Sequence, residues 1–159
     1  SHGSQLISGM NALRNFPDFG DKFDWDDAGS RQGALDLDDR GISGSTPDLS
    51  QGDRLESNGM TPWFNDTREF LEDDDNSHIN VIMWSWCSIH NHDAQRYVDN
   101  MDSLVSLFPD VKFVYMTGHA QGSGESMTEN GVHYNNQLIR DHCREKGHIL
   151  YDRHGLIRI

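Results

Sequence analysis

The opening pentapeptide SHGSQ sets Ser1, His2 and Ser4 around Gly3, two hydroxyls and an imidazole in one short stretch. Residues of the same kinds recur downstream: Ser85, Thr117, His119, Asp152 and His154, with a glycine-containing turn, Gly41–Ser45, from RGISGS. A hydroxyl nucleophile, an imidazole base, a carboxylate to orient it and backbone N–H groups to hold an oxyanion are the parts of acyl-transfer chemistry. Those parts work only if elements of the fold carry them to one place.

The second half of the chain supplies such elements. INVIMW (Ile79–Trp84) is a short apolar run rich in β-branched residues and predicts a buried strand. DAQRYVDNMDSLVSLF then spaces Ala94, Tyr97, Val98, Met101, Leu104 and Val105 as one face of a helix, with Asp93 as its N-cap and Pro109 as its stop. VKFVYMTG (Val111–Gly118) predicts a second buried strand, Val132 to Lys146 a second helix stopped by Gly147, and HILYD (His148–Asp152) a third strand. Alternating β-α-β-α-β units predict a parallel sheet wound by helices, with right-handed crossovers.

The first half is less regular. TPWFNDTREFLEDD predicts a helix with Thr61 as cap and Pro62 at its first position, fraying at an acidic C-terminus. Ala34–Leu37 alternate as an edge strand would, and residues 15–32 read as a surface excursion. In open parallel sheets ligands bind at the carboxyl ends of the strands. That rule gathers Ser85, Thr117, Gly118, His119, Asp152 and His154 onto one edge, and adds the Gly41–Ser45 turn.

Order and spacing of these pieces resemble the SGNH (GDSL-type) hydrolases, from Ser1 to Asp152. RGISGS resembles that family's second block, in which a glycine N–H enters the oxyanion hole; Gly44 matches that glycine. Ser1-His2-Gly3 resembles the last three positions of an H-x-S-x-G turn that presents the nucleophile after the first strand. VIMWSWC, FVYMTGH and ILYD resemble later strands of a secreted branch. The resemblance implies a three-layer α/β/α sandwich with a parallel, flavodoxin-like sheet, an extracellular or cell-surface location, and a serine esterase or deacylase. Ser1 would be the nucleophile and Ser4 its competitor; His119 or His154 would be the base, Asp152 the orienter, and Gly44 the oxyanion donor. An acyl group on a carbohydrate or a small-molecule ester would be the substrate, with no cofactor.

Two departures point to a second reading. The family's third block supplies an Asn where this chain has Ser85-Trp86-Cys87, so Ser85 would have to donate to the oxyanion instead. Its last block is Asp-x-x-His, whereas Asp152-Arg153-His154 is one residue shorter. A degenerate, non-catalytic domain that binds glycan or a partner chain fits these departures. No strand precedes Ser1, and the chain stops seven residues past Asp152, which predicts a single domain over 1–159 lacking a first strand and a C-terminal segment, or a sheet completed by self-association or by another chain.

Composition narrows the partners. Net charge is −13, of which −11 falls in residues 1–80, a field that disfavours nucleic acid and anionic membrane. No apolar run reaches membrane-spanning length. The acidic runs lack the spacing of an EF-hand loop, and His90 with His92 lacks a third ligand, so no metal site is predicted. Cys87 and Cys143 form either one bridge or two buried thiols. Trp84 and Trp86 share one face of their strand, as core or as a platform for sugar stacking. Asn65–Thr67 matches a glycosylation sequon.

Overall fold

The structure, a computed structural model, describes residues 2–20, 22, 24–26, 29–39, 41–44, 46–121 and 126–155. Ser1 lies outside them, so its proposed role as nucleophile is not addressed by the fold. Two compact units divide the chain, Ser1–Gly41 and Ile42–Ile159.

The first unit begins with a helix, α1 (His2–Leu13), where the sequence predicted a turn. Leu6, Ile7, Met10 and Leu13 recur at helical spacing and are its half-buried positions. A short parallel ladder follows, β1 (Trp25–Asp26) on β2 (Leu35–Asp36), the latter inside the predicted edge strand. Trp25 Nε1 donates to Asn11 on α1 at 2.9 Å, and Asp24 receives both Arg14 and Arg31. No described residue of this unit is buried. Its order comes from local hydrogen bonds and ion pairs rather than from a core.

The second unit holds the core. After α2 (Pro62–Glu72) come β3 (Val81–Met83), α3 (Ala94–Leu107), β4 (Lys112–Met116), α4 (Val132–Lys146) and β5 (Ile149–Tyr151). The three strands are parallel and lie in the order β3-β4-β5, with Ile82 opposite Phe113 and Tyr115 opposite Leu150. Asp93 caps α3 by accepting from Arg96 N–H at 2.9 Å, and Gly147 ends α4 in the left-handed region at φ 73°. Thr61 stands at the N-cap of α2, but its hydroxyl accepts from Asn100 instead of capping the helix.

Alternation along the strands decides which face is covered. Ile82, Phe113 and Tyr115 are buried, and α3 and α4 pack on each other and on β4. On the opposite pleat Val81, Met83 and Ile149 are exposed. The core extends into an aromatic cluster in which Tyr97 lies 5.8 Å from Trp63 and 5.3 Å from Trp86, centroid to centroid. Trp84 donates to Thr67 Oγ1 at 2.7 Å, and both Trp84 and Trp86 are buried. That corrects the sugar-platform alternative: neither indole presents a face to a ligand.

Candidate functional site

The parallel sheet brings Ser85, Thr117, Gly118, His119 and Asp152 to its carboxyl edge, as the strand order requires. There the pairing differs from that of a catalytic triad. Arg140, one turn and a half before the end of α4, grips Asp152 with two parallel bonds, Nε to Oδ2 at 2.8 Å and Nη2 to Oδ1 at 2.9 Å. Thr117 Oγ1 and the Gly155 N–H add bonds of 3.0 Å each to Oδ1. A bidentate guanidinium is the strongest common partner of a carboxylate. Burial alone would raise the Asp152 pKa, but these hydrogen bonds and the Arg140 charge outweigh it and hold the group at about 2. Asp152 therefore orients an arginine, not an imidazole.

His154 is buried at 3% exposure. Its backbone N–H donates to Thr117 Oγ1 at 3.2 Å, and its Nδ1 lies 3.1 Å from Arg140 Nη2. Arginine only donates, so Nδ1 is the acceptor and the ring proton sits on Nε2. The Asp-His relation expected from the last block is thus replaced by Asp152–Arg140–His154.

His119 follows β4 and is half-buried; burial first, and the Arg153 charge second, push its pKa below the ordinary value and keep the ring neutral near pH 7. Arg153 has no ion pair among the described residues, and its Nη1 is buried without a hydrogen-bond partner. Its own pKa is lowered by burial. A guanidinium without a counter-charge among the described residues is the most conspicuous electrostatic feature of the site.

The other predicted residues have partners of their own. Ser4 lies on α1, exposed, and donates to Asp39 Oδ2 at 3.1 Å. Ser85 is half-buried and its carbonyl accepts from Leu49 N–H at 3.1 Å. Gly44 backs directly onto the Asp66 carboxyl group, whose pKa is raised by burial. A carboxylate there would oppose, not stabilise, an oxyanion on the Gly44 N–H. Cys87 is exposed and Cys143 buried, both free, so the bridge left open by the sequence is not made. Burial, reinforced by the Asp102 charge, pushes the Cys143 thiol up to about 12, which makes it inert.

Sequence reasoning missed the residues that organise this edge. Asn136 accepts from Gly118 N–H at 2.8 Å, and Asn135 donates to the carbonyls of Ile89 and His92 at 2.8 Å each. An added Cβ at Gly118 would strike the Ile89 side chain, so only glycine fits that close approach. The visible signal was the pair Asn135-Asn136 on the apolar face of a helix, where buried amides need partners.

Fold and edge together define a mixed α/β domain with a parallel sheet. No family model, curated protein or solved structure matches the chain.

Proposed function

We propose that this chain is a non-catalytic, SGNH-like binding domain whose ligand presents an anionic group, a carboxylate by preference, to Arg153 at the carboxyl edge. One observation carries the proposal: of the two arginines at that edge, Arg140 consumes Asp152 while Arg153 has no counter-charge among the described residues. The first fact removes the carboxylate a catalytic histidine needs. The second leaves a planar, partly buried cation whose fork matches a carboxylate. A partner chain suits this better than a glycan, because Trp84 and Trp86 are buried and offer a sugar no stacking surface.

On this proposal the sheet is the later part of a three-layer, flavodoxin-like sandwich. The consecutive parallel order β3-β4-β5 supports it, as do Val81, Met83 and Ile149, apolar and exposed on the pleat opposite α3 and α4. No helix is long and apolar enough to cross a membrane among the described residues.

A serine esterase is the second reading, and one observation favours it: His119 is held neutral, as a general base must be. Fluorophosphonate labelling followed by peptide mass spectrometry separates the two. Binding without catalysis predicts no adduct on the folded chain. A stoichiometric adduct on Ser1 or Ser4 would overturn it in favour of the esterase.

A further inference from the structure

A second cluster lies away from the carboxyl edge, where α3, α4 and the start of β5 meet. Asp102 projects from α3, His142 from α4, and His148 directly precedes β5. His142 Nε2 lies 2.9 Å and His148 Nε2 3.0 Å from the same Asp102 oxygen, Oδ1. One atom from each residue falls within 4.8 Å of the other two. Tyr115, on the central strand, donates its hydroxyl to that oxygen at 2.6 Å.

We infer that Asp102, His142 and His148 form a three-ligand site for a borderline divalent transition-metal ion of the Zn(II) type, with a further coordination position left open. The donor set is two imidazoles and a carboxylate, a combination that such ions take. Metal–ligand distances of about 2.0–2.1 Å put neighbouring tetrahedral ligands roughly 3.3 Å apart, so each imidazole, at 2.9 and 3.0 Å from Asp102 Oδ1, needs to move only slightly away from it. The rings are already oriented: His148 stacks on Tyr115 at 4.6 Å and 10°, and His142 lies 5.7 Å from His148. Tyr115 supplies the outer hydrogen bond that fixes the carboxylate. The imidazoles are 14% and 19% exposed, and each lines a surface cleft, which gives an ion a route in. Each ring would bind through Nε2 with its proton on Nδ1. An ion there would tie both helices to the last strand.

The competing arrangement is a hydrogen-bonded cluster that holds no ion, and the chain's nine histidines make surface binding a further competitor. Titrating the full chain with Co(II) and reading the visible d–d bands tests the site, with displacement by Zn(II) as a second reading. One equivalent should bind. His142→Asn and His148→Asn should each weaken it more than about 100-fold, beyond the 10–100-fold cost of an outer partner, and Tyr115→Phe should fall in that lesser range. His78→Asn, at an exposed position, should change nothing. Zn(II) at a hundred times its Kd should shift the folding equilibrium about 100-fold toward the native state. If the variants fold poorly, nitrogen-15 NMR of the unaltered chain's histidines replaces them: only the His142 and His148 side chains should respond to one equivalent. Failure of the unaltered chain to bind, undiminished binding in both folded variants, or an equal response across all histidines would overturn the site.

Discussion

At the carboxyl edge, what one residue does depends on which partner reaches it first. Asp152 stands at a strand end, where a catalytic carboxylate would stand, yet it is spent on Arg140. Arg140→Met should leave Asp152 with only Thr117 and the Gly155 N–H, cost about 2 kcal/mol in urea unfolding, and raise the Asp152 pKa toward the ordinary value. Unchanged stability would mean that the pair is not formed. Arg153→Gln should have the opposite character. It removes no bond to a described residue and relieves a partly buried charge that none of them offsets, so stability should hold or rise while any response of the Gly118 and His119 amides to added succinate disappears. An equal response in Arg153→Gln would count against Arg153 as the binding group. The candidate residues at the strand ends were legible in the sequence because strand ends can be read from apolar runs. Their pairing was not, since Arg140 comes to Asp152 from a helix whose inward face reads only as apolar.

The elements themselves were written more plainly. α3, α4 and the three strands β3 to β5 follow from apolar spacing, the Asp93 cap and the Gly147 stop, each a local signal that tertiary packing reinforces. Asp93→Ala should therefore cost about 1 kcal/mol, the ordinary worth of an N-cap, read as a lowered denaturation midpoint with an unchanged slope. No change would show that α3 is fixed by burial of its apolar face alone. α1 was misread because SHGSQ is polar enough for a turn, although Leu6, Ile7, Met10 and Leu13 carry the helical period just beyond it. β1 is only two residues long and has no period to detect. The Asp102 cluster was invisible for another reason: its members come from two helices and a strand start, and no local spacing joins them.

For the molecule as a whole, stability is concentrated in the second unit, which contains every buried residue among those described. Residues 42–159 alone should unfold in one transition, within about 1 kcal/mol of the full chain in urea. A molten or much weaker fragment would show that the first unit is needed for the core. Acid should weaken the protein in two stages. His119 has a lowered pKa, so the neutral form it requires is fully present above about pH 6.5 and is lost below that. Asp152, held at about 2, contributes stability that is complete above its unfolded value near 4 and lost as pH falls toward 2. That contribution is about 1–2 kcal/mol once solvent screening of a partly exposed carboxylate is allowed for. Urea midpoints measured from pH 7 to pH 2 should fall in that order, and a rise on acidification would contradict the assignment.

The most direct test of the central claim, that the carboxyl edge is built for binding and not for serine hydrolysis, is the titration of the Asp152 side-chain carboxyl carbon by NMR. A single transition near pH 2, shifted toward the ordinary value in Arg140→Met and unaffected by histidine titration, is the predicted result. A transition at the ordinary carboxylate pKa, or one that tracks the protonation of His119 or His154, would restore an Asp-His pair and contradict the account.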